Sequence, residues 1–174
     1  MQFIDSIEIG ARAGNGGPGL VSFMRARNMP KLGPDGGDGG FGGNVIMVAN
    51  PQLNTLSNLR YHRKYVAESG EKGGVNNRTG ANGSDLILDV PLGTVILERE
   101  TGHVVGEVLK ETDRLIIAKG GKRGIGNVRF ASSTNRAPQQ HTPGGKGESI
   151  DLRLELKLVA DIGFAGFQIG RAHV

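Results

Sequence analysis

Glycine recurs every third residue through LGPDGGDGGFGGN, Leu32 to Asn44, at positions 33, 36, 39 and 42, with a second register at 37, 40 and 43. A polyproline II helix has three residues per turn, so residues at this spacing align along one edge. An edge of glycines lets extended chains lie together where a side chain would intrude. The spacing returns at Gly14/Gly17 and Gly16/Gly19, then at Gly70/Gly73, Gly80/Gly83, Gly121/Gly124 and Gly144/Gly147, which makes six stretches with the long run. Slack linkers are the alternative reading. The stretches are short, lie between strand-like segments and carry prolines and branched residues, all of which favour ordered packing. Gly-X-Y never runs far enough for a collagen rod.

The segments between them read as strands. IDSIEI near the start, VIMVA (Val45 to Ala49), LILDV (Leu86 to Val90), TVILE (Thr94 to Glu98), HVVGEVL (His103 to Leu109) and RLIIA (Arg114 to Ala118) are short and rich in branched residues. In IDLRLELKL, Ile150, Leu152, Leu154, Leu156 and Leu158 face one way, and Asp151, Arg153, Glu155 and Lys157 the other. That period of two predicts a strand with one buried face. Thr101-Gly102 predicts a hairpin turn. Helix is confined to a turn around Leu53 to Leu59. A mainly β unit carrying an interlocked bundle of left-handed glycine helices is the expected architecture.

A chain of 174 residues suits one domain, and 37% hydrophobic residues can build its core. The absence of cysteine removes disulfides and thiolate zinc sites together. No apolar run approaches the ~20 residues that span a bilayer. MQFIDSIEIG has no basic n-region of a secretory signal, so a soluble, cytoplasmic chain without a membrane partner is expected.

The formal charge of +4 is unevenly placed. Lys119, Lys122, Arg123, Arg129, Arg136 and Lys146 lie in a stretch without an acid; Arg25, Arg27 and Lys31 form a second group, and Arg60, Arg63 and Lys64 a third around His62. On charge alone, a polyanion partner and a merely solvated surface are equally good readings. The segment KGGKRGIGNVRFASSTNRAPQQHTPGGKG favours the partner. Its cations can neutralise phosphates, and Asn127, Ser132, Ser133, Asn135, Gln139 and Gln140 can bond sugar or base edges. Phe130 is its single aromatic, so the segment suits the backbone and shape of folded RNA better than base stacking.

Asp35 and Asp38 could be calcium ligands, but two carboxylates are too few for an oxygen shell, and bracing turns through backbone N–H groups is the better reading. No metal site is expected. His62, His103, His141 and His173 show neither metal-ligand spacing nor a nucleophile partner, and no catalytic residue is assigned.

MQFIDSIEI, GNGGPGLVSF, GPDGGDGGFGGNV, the NTL at Asn54 to Leu56, Thr79-Gly80, VPLGTVI, KGGKRGIGNVRF, SSTNRAP and LRLELKLVADIGFAGF together resemble the N-terminal glycine-rich domain of the Obg (CgtA) family of GTPases, from residue 1 to about 167. The resemblance implies an eight-stranded β unit bearing six glycine-rich left-handed helices. It also implies a slow GTPase, using GTP and Mg²⁺, that acts late in assembly of the large ribosomal subunit. Its N-terminal domain would dock near the peptidyl-transferase region of the rRNA. Arg25, Arg27, Lys31, Lys122, Arg123, Arg129 and Arg136 are the expected rRNA contacts. Reversing Arg123, Arg129 and Arg136 together is expected to weaken docking with the fold intact.

Residues 1–158 are read as this domain, expected to be a monomer, and 159–167 as the first strand of a GTP-binding domain. In the G-x-x-x-x-G-K-[ST] frame only Gly166 matches; Arg171, Ala172 and His173 stand where Gly, Lys and Ser/Thr belong. This chain alone is therefore expected neither to bind nor to hydrolyse GTP, and to hold no cofactor. IGRAHV, Ile169 to Val174, is what a common sequencing-library adapter encodes in one frame, so 168–174 are expected to be a non-native tail. The competing reading is a structural or protein-interaction domain without nucleic-acid binding.

Overall fold

The computed structural model describes residues 4–25, 27 and 32–157. Lys31, Leu158, the segment 159–167 with Gly166, and the tail 168–174 lie outside them. The described chain is mainly β, with strands β1 (Ser6–Arg12), β2 (Val45–Ala49), β3 (Lys64–Val66), β4 (Leu86–Val90), β5 (Thr94–Glu98), β6 (Val104–Val108), β7 (Arg114–Ala118) and β8 (Ser149–Leu156). They form a five-stranded sheet, β3-β1-β8-β5-β6, and a three-stranded sheet, β4-β2-β7. Two 3-10 turns, Ser57–Leu59 and Asn127–Phe130, are the only helical elements among the described residues. No helix there is long and apolar enough to cross a membrane.

Alternation positions the core. In β8, Leu152 and Leu154 are fully buried, while Asp151 and Arg153 on the opposite face are exposed. Ile96 of β5 and Val108 of β6 in the same sheet, and Val45 and Met47 of β2 and Val90 of β4 in the other, join the same buried cluster. Each such side chain contributes roughly 1.5–3 kcal/mol by leaving water. The hairpin at Thr101-Gly102 forms as its sequence predicts: Gly102 takes φ +70°, and its N–H donates to the Glu98 carbonyl at 2.9 Å. The three-residue β3 was not expected; it is too short to show alternation and lies at the sheet edge.

Strands β1, β3 and β7 lead out of the sheets into glycine-rich segments, and such segments lead back into β2, β4 and β8. This arrangement fixes the pairing sense. Outgoing β1 and β3 pair parallel, as do returning β2 and β4, whereas outgoing β1 pairs antiparallel with returning β8.

The segments around 14–20, 36–43, 68–74, 78–84, 120–127 and 142–148 carry no strand or α-helix; they are held by backbone bonds stepped by three residues. The N–H groups of Gly14, Gly17 and Leu20 donate to the carbonyls of Gly43, Gly40 and Gly37. Those of Gly43, Gly40 and Gly37 donate onward to Glu68, Glu71 and Gly74, and Gly70 and Gly73 close the cycle on Asn15 and Pro18. Gly121 and Gly124 donate to Gly14 and Gly17, while Gly16 and Gly19 donate to Gly145 and Thr142. A step of three is the pitch of a polyproline II helix.

The glycines supply room, not unusual torsion. Among the described glycines only Gly33, Gly93 and Gly102 have positive φ, and none of these belongs to the ladder. A Cβ at Gly40 would instead overlap the carbonyl of Ala81, and one at Gly17 that of Glu71. Gly33 departs from the expectation that placed it in the packed register. It has φ +114° and open space around it, so it serves a turn.

Candidate nucleic-acid interface

Because every bundle segment is anchored to a strand at one end, the connections between them fall together at the other. These are the loop 23–34, the turn 75–78 and the loop 128–141. The first is pinched at its base by the bridge between Phe23 and Pro34. Arg25 and Arg27, both exposed, lie within it. The second turns through Asn76 and Asn77, with φ of 55° and 54°, a conformation asparagine tolerates better than most residues. It presents exposed Arg78. The third carries Arg129 and exposed Arg136.

Asn127 fastens these loops to one another. It is fully buried; its Oδ1 accepts from the Gly36 N–H at 2.9 Å, and its Nδ2 donates to the carbonyls of Ser22 at 2.9 Å and Pro138 at 3.1 Å. Asp35 adds the second turn: its Oδ2 accepts from the Asn76 N–H at 3.1 Å and its carbonyl from the Asn77 N–H. The other oxygen of Asp35 is buried without a partner among the described residues.

Asp38 organises two of the expected contact residues. Its side chain is 6% exposed; Oδ1 accepts from the Gly126 N–H at 2.9 Å, and Oδ2 lies 2.7 Å from Nε of Arg129 and 3.6 Å from Nη2 of Arg123. The Arg123 guanidinium also sits 5.3 Å from the centroid of the Phe41 ring, a cation–π distance. With Lys122 and Ile125 these residues line a shallow recess of about 260 Å³ on the bundle flank. Lys122, Arg123 and Arg129 are therefore brought together, while Arg25, Arg27 and Arg136 stand on the loops beyond. Both aspartates brace backbone N–H groups, as expected from their glycine-rich context, and no three metal-ligating side chains converge among the described residues.

Acid placement leaves the loop end cationic. Asp35 and Asp38 are each only 5% exposed. Glu68, Asp85 and Glu148 lie at the sheet end, where they accept from the N–H groups of Ser84, Asn44 and Lys119.

The structure corrects one expectation. Arg123 and Arg129 neutralise a buried carboxylate, so reversing them places like charges against Asp38 and disturbs the bundle. Their reversal is not the fold-neutral change the sequence led us to expect. Sequence reading also missed Arg78, whose flanking acids Glu71 and Asp85 hid it in the linear charge pattern, and Asn127 as a clamp. The N–H of buried Asn127 donates to Leu20, continuing the three-residue step of Gly121 and Gly124, and that spacing was its only signal.

A cationic tip displayed on a glycine-rich bundle and seated on a small β unit defines the class of domain. Residues 4–158 match the family GTP1/OBG. The chain is 50% identical over 166 residues to the GTPase Obg of Synechococcus sp. (strain JA-2-3B'a(2-13)), covering 95% of this chain and 48% of that protein. It is 51% identical to the GTPase Obg of Gloeothece citriformis (strain PCC 7424), with 95% and 49% coverage. For the GTPase Obg of Chlorobaculum parvum the identity is 48% over 167 residues, covering 96% and 50%. The chain belongs to the GTP1/OBG family and corresponds to its glycine-rich N-terminal domain. It spans about half the length of these relatives.

Proposed function

We propose that the loop end is an RNA-docking surface that seats the protein on the rRNA of the large ribosomal subunit during its assembly in the cytoplasm. The observation carrying this reading is the placement of exposed Arg25, Arg27, Arg78, Arg129 and Arg136 on three connections that contain no acid and whose bases are fastened together by Asn127 and Asp35. Such a surface meets phosphates with little ordering on binding, because its supports already interlock. The relatives are GTPases by name; we extend GTP hydrolysis with Mg²⁺ to the whole protein, through residues outside those described.

The test is to reverse Arg25, Arg27 and Arg136 to Glu and measure co-sedimentation with large subunits over a salt series. Each is exposed and has no ion pair with a described residue, so the fold should persist. Binding should fall at least about tenfold, and the slope of log affinity against log salt should shrink by roughly one for each cation removed. Unchanged binding with an unchanged slope would reject the surface in favour of a protein-interaction role.

A further inference from the structure

A second basic group lies in the β unit, apart from the loop end. The run RYHRKY, Arg60 to Tyr65, enters edge strand β3. There His62, Arg63 and Lys64 face Glu8, Gly10 and Asp151 across a cleft of about 600 Å³. That volume is in the usual range of small-ligand sites, about 300–1,000 Å³. Gly10 keeps the floor open: a Cβ there would stand 3.0 Å from Oδ1 of Asp151.

The charges in the cleft are not internally balanced. Glu8 is taken by Arg99 at 3.2 Å, whereas Arg63 and Lys64 enter no ion pair among the described residues and the Asp151 carboxylate accepts no hydrogen bond there. Tyr61, 83% exposed, stands on the same loop. A rim that attracts phosphate thus lies beside a carboxylate that can only accept hydrogen bonds. A bare phosphate would satisfy the first and be repelled by the second. A ribose phosphate satisfies both, because its hydroxyls donate.

We propose that this cleft binds a ribonucleotide unit, with phosphate on Arg63 and Lys64, the sugar hydroxyls on Asp151 and the base against Tyr61. Arginine presents paired donors to phosphate oxygens and lysine a point charge. An exposed aromatic takes the face of any base, and the 2′-hydroxyl separates ribose from deoxyribose. The unit can come from an unpaired RNA strand or from a free nucleotide.

The full chain should be titrated with AMP, dAMP, a short single-stranded RNA and the DNA of the same sequence, following backbone amide shifts by NMR. Shifts at residues 60–64 and 151 are expected, with ribose forms bound more tightly than deoxyribose forms. Arg63→Glu with Lys64→Glu should weaken binding about tenfold or more, and Tyr61→Ala roughly fivefold. Asp151→Ala should reduce the ribose preference to about one. RNA binding well above AMP identifies the strand as the source, and equal binding identifies the free nucleotide. The Arg25/Arg27/Arg136 reversal should leave these shifts intact, which keeps this site distinguishable from the loop end. Unmoved signals at 60–64, or equal affinity of the folded double reversal, would overturn the proposal.

Discussion

Nε of Arg129 lies 2.7 Å from Oδ2 of Asp38, joining residues 91 apart in sequence at the point where two glycine segments meet. The carboxylate is nearly inaccessible, yet the guanidinium that neutralises it remains largely in water, with 59% of its side chain exposed. One arginine thus serves the bundle and faces outward from it.

Replacing Asp38 by Ala should destabilise the domain by about 2–4 kcal/mol, because it strips Gly126 of its acceptor and leaves two guanidinium groups unpaired. Arg129→Ala should cost less, since Arg123 still faces the carboxylate and the lost side chain is mostly solvated. Urea unfolding of the two variants should show that order.

Gly40→Ala and Gly33→Ala separate crowding from torsion. At Gly40 the new methyl meets the Ala81 backbone, which cannot move without breaking the ladder, so a loss of about 3 kcal/mol or more is expected. At Gly33 the space is open but φ is +114°, and a loss of about 1–2 kcal/mol follows from backbone strain alone. Thermal melts would rank them, with equal melting temperatures counting against a space-filling role for the ladder glycines.

Asn127→Asp keeps the acceptor for Gly36 but removes both donors to Ser22 and Pro138 and buries a charge. Asn127→Ala loses all three bonds, at about 1–3 kcal/mol for the stranded groups. In either variant hydrogen exchange should quicken at Gly36 and in the loops 23–34 and 128–141, while β2 and β8 stay protected.

Acid should weaken the fold through two turns. The N–H groups of Lys110 and then Leu109, both 2.9 Å from Oδ2, hold the Asp113 carboxyl below its ordinary pKa. The N–H of Ser84, followed by its hydroxyl, does the same for Glu68. A folded-state pKa below the unfolded one means stability that is present above about pH 4 and lost as pH falls through the folded value. The melting temperature should therefore drop on acidification below about pH 4, and Asp113→Ala should flatten part of that slope.

Much of this architecture was legible because its determinants are periodic. Period two marked β8, short runs rich in branched residues marked six more of the eight strands, and period three marked the glycine segments before any contact was known. Gly33 kept the three-residue spacing while serving a different purpose, since spacing cannot distinguish a glycine chosen for room from one chosen for torsion. The charged loops were visible as acid-free runs. What remained hidden was pairing across distance: Asp38 with Arg129, Asn127 with Ser22, and Arg78 drawn to the same end by a turn flanked with acids. The RYHRKY cluster was visible as charge, but its cleft depends on β1 and β8, which are remote in sequence.

The stepped ladder also dictates an order of assembly. Its segments contribute almost no apolar surface, and Gly16 finds Gly145 only after nearly the whole chain is available. Contacts this distant in sequence make folding slow, because loop closure precedes any reward. Strand β1 likewise waits for β8, its antiparallel neighbour. During synthesis the segments before residue 85 can meet one another early, but the partners of Gly16 and Gly19 at Gly145 and Thr142 arrive only just ahead of β8, so the bundle is completed last, on a β core brought together by its leucines and isoleucines. Stalling translation before residue 149 should leave the bundle open to protease, and stalling well beyond it should close it.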